Sequence, residues 1–294
     1  MLALPTPPFS VSDILDNVRD TGTLATRERI ASATEGLIGA EAEYRKQANR
    51  GSIHLMPASN SASLGGATET DIISVYENRL VRPRGRAHRF YEEILYVGDG
   101  TCSLCGASAA TEVDHYLPKE QLGWLAIVPL NMIPACSECN GYKGTRLPSS
   151  RNDSFIHPYF DDFRTTQWLA AEVREDDPLP RYFVQSYSGA GESDIPRLKA
   201  HFVALRLGFL YARLAGGALA EYRGNLIRNL SGESRFNARR LWLEVGAKGL
   251  ERDYGINHWR AVALRAWAAS DWFIEEGYAT EMNSNWVLQL ARRG

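Results

Sequence analysis

A surplus of charge of one sign is the first thing this chain lacks: 33 lysines and arginines stand against 35 aspartates and glutamates, a formal net charge of −2 over 294 residues. A globally basic surface is excluded, so contact with a polyanion has to come from local clustering. Long apolar runs are absent as well. The longest, Leu122 to Leu130, contains Pro129 and falls far short of the roughly 20 residues that cross a bilayer. The opening MLALPTPPFS has no basic residue and two adjacent prolines, which makes a poor signal peptide, so a cytoplasmic location away from membranes is expected. There is no phosphate-cradling glycine loop, which argues against an intrinsic ATPase, and no internal repeat. Cysteine is scarce too, with only four in the chain.

A hydrophobic fraction of 44% and a charged fraction of 23% are those of a globular protein with ample core. The patterning divides the chain into a helical region at 1–95, a turn-rich module at 96–163 with short strands and a helix near Cys136, and a second helical region at 164–294. The predicted fold class is therefore mainly α with a small α+β core between two helical flanks. Helices are expected over Ala25–Ala48 and Asp71–Leu80, separated by a loop from Pro57 to Thr70. In the last region Leu198, Phe202, Leu205 and Phe209 recur as one buried helix face, and Trp259, Val262, Ala266 and Trp267 as another. Gly216-Gly217 reads as punctuation between helices.

The four cysteines form two CxxC pairs, Cys102/Cys105 and Cys136/Cys139, with 30 residues between them. Two thiolates on one tight turn can face one ion, and two such turns complete the tetrahedral shell of structural zinc. A single CxxC would suit a redox site, and disulfides an oxidising compartment; two matched pairs favour zinc. The gap is longer than a simple zinc ribbon needs, so something is held between the knuckles.

That insert carries Asp114, His115 and Asn131. Aspartate is a hard oxygen donor suited to Mg²⁺ or Mn²⁺, and a neutral imidazole can accept a proton from water near pH 7. Together they suit metal-assisted hydrolysis. Just upstream, residues 79–89 hold five arginines and no acid. Arg82, Arg84, Arg86 and Arg89 can follow a phosphate backbone, although such runs are more commonly solvated turns.

The ordered set of CSLC, VDHYLP, Asn131 and CSECNGYK resembles the HNH endonuclease family over residues 101–146, and more specifically bacterial HNH proteins linked to mobile elements and phage defence. The resemblance implies a ββα-metal module and a phosphodiester hydrolase, with DNA as the expected substrate. It makes His115 the general base, Asp114 a ligand of a catalytic divalent ion (Mg²⁺, with Mn²⁺ or Ni²⁺ as alternatives), and Asn131 the brace of the hairpin loop. The third signature position is Asn140 where the family commonly has histidine, so its ligand role carries over with an amide. Lys143 matches a lysine expected to face phosphate, and His157, in a segment resembling one that follows the motif, is expected to border the site. One centre per chain cuts one strand at a time, so the partners implied are a second copy or a separate sensor or ATPase protein. Two other readings compete: a zinc-stabilised nucleic-acid-binding or adaptor module without catalysis, and an RNase of the same fold.

Overall fold

The computed structural model describes residues 3–19, 22–58, 64–186, 194–228 and 235–280. It is mainly helical with two small antiparallel sheets, and it divides into two compact units, Met1–Asp162 and Phe163–Gly294.

In the first unit, helix α1 (Val11–Val18) starts at a capping box in which Ser10 and Asp13 satisfy each other's backbone N–H groups. The stretch expected as one helix over Ala25–Ala48 is two, α2 (Leu24–Ser32) and α3 (Thr34–Asn49), broken at Ala33. No glycine or proline marks that break. Residues 59–63 of the Pro57–Thr70 loop lie outside the described residues. Helix α4 (Glu69–Val75) opens at a second capping box, Thr68 with Asp71, and Arg29 of α2 reaches across to Asp71 at 2.9 Å. The expected helix to Leu80 is completed in a different form, because Tyr76–Leu80 is a single π-helical turn, the kind of insertion that re-aims a side chain. Helix α5 (His88–Leu95) follows, burying Phe90 and Ile94.

Strand β1 (Glu112–His115) pairs antiparallel with β2 (Met132–Ala135), with Asp114 opposite Ile133 and His115 opposite Met132. Helix α6 (Ser137–Lys143) follows directly, giving a ββα unit, and Gly144 at φ +55° ends it. The connection from β1 to β2 is clamped by α4. Glu69 accepts the Gly123 N–H at 2.8 Å, and any Cβ at 123 would lie 2.8 Å from the Glu69 Cβ. Trp124, Leu125, Ile127 and Val128 of this connection are almost fully buried, so the apolar run read in the sequence is core.

The second unit was expected to be helical throughout after Arg164, but it begins with a β-hairpin, β3 (Leu169–Arg174) and β4 (Asp177–Val184). Pro178 and Pro180 sit in β4, so propensity argues against a strand there, while tertiary packing supports it. Tyr182 Oη donates to Trp259 O at 3.0 Å, and Trp267 Nε1 donates to Pro178 O at 2.8 Å. Helices α7 (Ile195–Ala204), α8 (Leu207–Arg228), α9 (Arg235–Tyr254), α10 (Trp259–Ala269) and α11 (Asp271–Glu275) complete the unit. The Leu198–Phe209 stripe spans a break, since Arg206 at φ +50° separates α7 from α8; Leu198 and Leu205 are buried and the two phenylalanines only partly so. Gly216 and Gly217 lie inside the 22-residue α8 and punctuate nothing. The tryptophan stripe on α10 is buried core. Among the described residues no single helix is long and apolar enough to cross a membrane.

Candidate active site and metal centre

The two CxxC pairs meet. All four cysteines are buried, and their sulfurs lie within 4.8 Å of one another. A tetrahedral ion with metal–sulfur bonds of about 2.3 Å needs sulfurs a little under 4 Å apart, so this cluster can hold a metal ion such as zinc. Each knuckle is built from local backbone. The first turns through Gly106 at φ +62°, whose N–H donates to Cys102 O at 2.8 Å. The second is the cap of α6, where Cys136 Sγ accepts the Cys139 N–H at 3.4 Å. Ser103 ties the first knuckle to the hairpin by donating through both its N–H and its hydroxyl to Pro134 O, each at 2.9 Å.

Within that clamp, His115 ends β1 at 4% exposure, and its Nε2 lies 2.8 Å from the Ala126 carbonyl. A carbonyl only accepts, so Nε2 carries the proton and Nδ1 is left as the basic nitrogen. Burial holds the imidazolium down to about 4, so the ring is neutral at physiological pH. The edge of Tyr76 packs on the same ring, centroids 4.5 Å apart. Tyr76 Oη also donates to Val113 O at 2.9 Å, while Val113 N–H donates to Tyr91 Oη at 3.2 Å. Two tyrosines thus fix the outer edge of β1 next to Asp114 and His115. Neither Tyr76 nor Ala126 is visible in the motif: one arrives through the π-turn, the other acts through its backbone.

Asn131 is completely buried. Its Oδ1 accepts from Leu117 N at 2.8 Å, and its Nδ2 donates to Leu117 O at 3.0 Å and to Leu125 O at 3.4 Å. One side chain therefore bridges both ends of the loop that follows His115, including the residue next to Ala126.

Asp114 is 8% exposed, and burial raises its carboxyl above the usual value against the opposing pull of Lys143. Its Oδ1 accepts the His115 N–H at 2.7 Å. Lys143 Nζ stands 3.1 Å from Oδ2 but is aligned to donate to Oδ1, at 3.4 Å, so Oδ2 is buried beside a positive charge with no hydrogen bond. Lys143, expected to face phosphate, has its side chain 1% exposed and directed to Asp114. Asn140, one turn earlier on α6, is half-buried. A hard oxygen without a hydrogen bond, on the same strand as the imidazole, could ligate a divalent cation.

His157 is 2% exposed. Its Nδ1 accepts from Tyr159 N at 3.2 Å, so Nε2 is the donor toward Tyr44 Oη at 3.0 Å. Tyr116 and Phe160 pack on its ring at 4.3 and 4.8 Å. This is the histidine of an aromatic core, with both ring nitrogens engaged by protein. Arg82, Arg84, Arg86 and Arg89 are all exposed, Arg84 at φ +71° and Arg89 with its guanidinium over Phe90. Their loop springs from the π-turn that carries Tyr76 and returns into α5, which carries Tyr91. Both of its ends are thereby anchored on β1.

Two known proteins resemble this chain. Protein ea31 of Escherichia phage lambda is 24% identical over 292 residues, spanning 93% of this chain and 99% of that protein. The Septu protein PtuB of Bacillus thuringiensis is 38% identical over 60 residues, 20% of this chain and 23% of that protein. No family model matches the chain, and no solved structure matches it significantly. The relationship to the phage protein runs almost end to end, so it includes both compact units; the likeness to the Septu protein is confined to one segment.

Proposed function

We propose that the protein is a metal-dependent endonuclease of the HNH type that hydrolyses phosphodiester bonds, with DNA as the substrate. The observation that carries this reading is the pairing of a neutral histidine whose Nε2 is committed to a backbone carbonyl with an adjacent buried carboxylate whose Oδ2 lacks a hydrogen bond. Nδ1 of His115 takes a proton from the attacking water, phosphorus gains that oxygen, and the bond to the 3′ oxygen breaks; the departing 3′ oxygen takes a proton from solvent, leaving 5′-phosphate and 3′-hydroxyl ends. Asp114 and Asn140 would hold the divalent ion, which supplies charge neutralisation at the phosphate when bound. Asn131 and Ala126 orient the imidazole by fixing the loop that carries its acceptor. The four cysteines would hold zinc structurally, since four thiolates leave no open position. The exposed arginines would track the nucleic-acid backbone, and the near full-length phage relative supports a setting in mobile-element biology or phage defence.

A second reading has an observation of its own: Lys143 already neutralises Asp114, as it would in a zinc-stabilised binding module without catalysis. One experiment separates the two. Plasmid cleavage with Mg²⁺ or Mn²⁺ is expected from the wild type and should be lost, by about 10²-fold or more, in His115→Ala. Cleavage that survives in His115→Ala at unchanged zinc content removes the base assignment; a wild type that binds but never nicks favours the module. Parallel digestion of duplex DNA, single-stranded DNA and RNA decides the substrate.

A further inference from the structure

We propose that Lys143 is the resident cation of the Asp114 carboxylate, and that the divalent ion enters this site together with the substrate's phosphate rather than ahead of it. The inference rests on the nuclease reading above and goes on to say how its metal is loaded.

The position of the ammonium is imposed by the fold. Lys143 is the last residue of α6, a helix fixed at its start by Cys136 and Cys139 and ended at once by Gly144. Its Nζ has Asp114 Oδ2 at 3.1 Å, Asp114 Oδ1 at 3.4 Å and the Gly144 carbonyl at 3.4 Å. With the side chain 1% exposed, the charge has no solvated alternative without opening the packing. A buried ammonium persists where a carboxylate matches it, and a buried carboxylate where a cation matches it. Each partner is thus matched by the other within the fold itself.

The consequence for loading is a matter of charge balance. Asp114 and Lys143 form an ion pair whose two charges cancel, and the amide of Asn140 adds none. A divalent cation approaching Oδ2 meets a carboxylate already matched by an ammonium 3.1 Å away, with Glu112 the further carboxylate that acts on Asp114 from the same strand, and at this range repulsion by the ammonium is screened less than in water. A phosphodiester brings the missing negative charge. Metal and substrate then favour each other's binding, as sites coupled by charge must. Lys143 here is a positioning residue that sets metal affinity, and it takes no proton in the reaction.

The test is a Mn²⁺ titration followed by electron paramagnetic resonance, in the full-length His115→Ala protein so that a short DNA duplex survives, with duplex-only blanks subtracted. We expect Mn²⁺ binding to tighten about tenfold or more when the duplex is added, and Lys143→Met to tighten duplex-free binding by about tenfold while removing most of the duplex effect. A folded Lys143→Met protein with normal zinc content and unimproved duplex-free affinity overturns the proposal. Should that variant fail to fold, the duplex arm decides alone: equal Mn²⁺ affinity with and without duplex overturns it equally. If neither condition reveals a Mn²⁺ site sensitive to Asp114→Asn, the nuclease reading itself falls, and this inference with it.

Discussion

The amide of Asn131 grips the backbone of Leu117 from both sides, accepting its N–H at 2.8 Å and donating to its carbonyl at 3.0 Å. Replacing Asn131 with alanine leaves both groups of Leu117 buried without that partner, which should cost about 2–4 kcal/mol of unfolding free energy. Urea denaturation measures it. The loop carrying Ala126 would also loosen, so cleavage should fall in Asn131→Ala by more than the unfolded fraction explains; activity that tracks folded protein alone would refute the bracing role.

Removal of the metal from the four-cysteine cluster should unfold the module around it. Thiolate zinc sites contribute on the order of 10 kcal/mol, comparable to the whole stability of an ordinary domain. Treatment with a strong chelator, or Cys139→Ser, is therefore expected to abolish the near-ultraviolet circular dichroism of the first unit along with bound zinc. A chelated protein that keeps its tertiary signal would show the cluster to be dispensable.

Arg82, Arg84 and Arg86 are exposed on a loop whose two ends are anchored on β1. If each meets a phosphate, changing all three to alanine lowers the salt dependence of duplex binding by about 2–3 in log–log slope, and weakens all sequences alike. Folding should be unaffected. An unchanged slope would return this loop to the category of solvated turns.

The ion pair between α2 and α4 predicts a pH effect on stability. The Arg29 guanidinium beside Asp71 holds its carboxyl down to about 2, against about 3.9 in an unfolded chain. A depressed folded value stabilises above the unfolded one, so the contribution is complete above about pH 4 and is lost as the pH falls toward 2. Arg29 is 42% exposed, which limits the effect to no more than about 1 kcal/mol. Arg29→Ala should thus be slightly less stable than wild type at pH 7, with the gap closing between pH 4 and pH 2. A gap that stays constant through that range would assign the loss to something other than this pair.

The parts of the site legible in the sequence are those whose chemistry depends on spacing along the chain. Two CxxC pairs fix where four sulfurs meet, and Asp114-His115 with Asn131 falls on a hairpin whose strands are only four residues each. What was not legible depends on distant segments arriving at the same place. Lys143 reads as a helix lysine facing phosphate, and its pairing with Asp114, 29 residues earlier, carries no mark in the local sequence. Tyr76 reaches His115 because one helical turn is widened, a change of hydrogen-bonding pattern with no compositional mark. The β3–β4 hairpin was hidden by its own prolines, and is held by α10 instead of by propensity. His157, expected at the border of the site from its segment alone, has a setting that the segment does not disclose: its ring lies among three tyrosines and a phenylalanine.

The acceptor for His115 Nε2 is the main-chain carbonyl of Ala126 rather than a side chain. Every amino acid carries that carbonyl, so no single codon change at position 126 can delete the contact; it can be lost only by bending the chain. Point mutation can remove His115, Asp114 or Asn131, but the group that selects the tautomer is out of its reach. In a lineage that drifts freely in sequence, this part of the machinery is inherited with the fold.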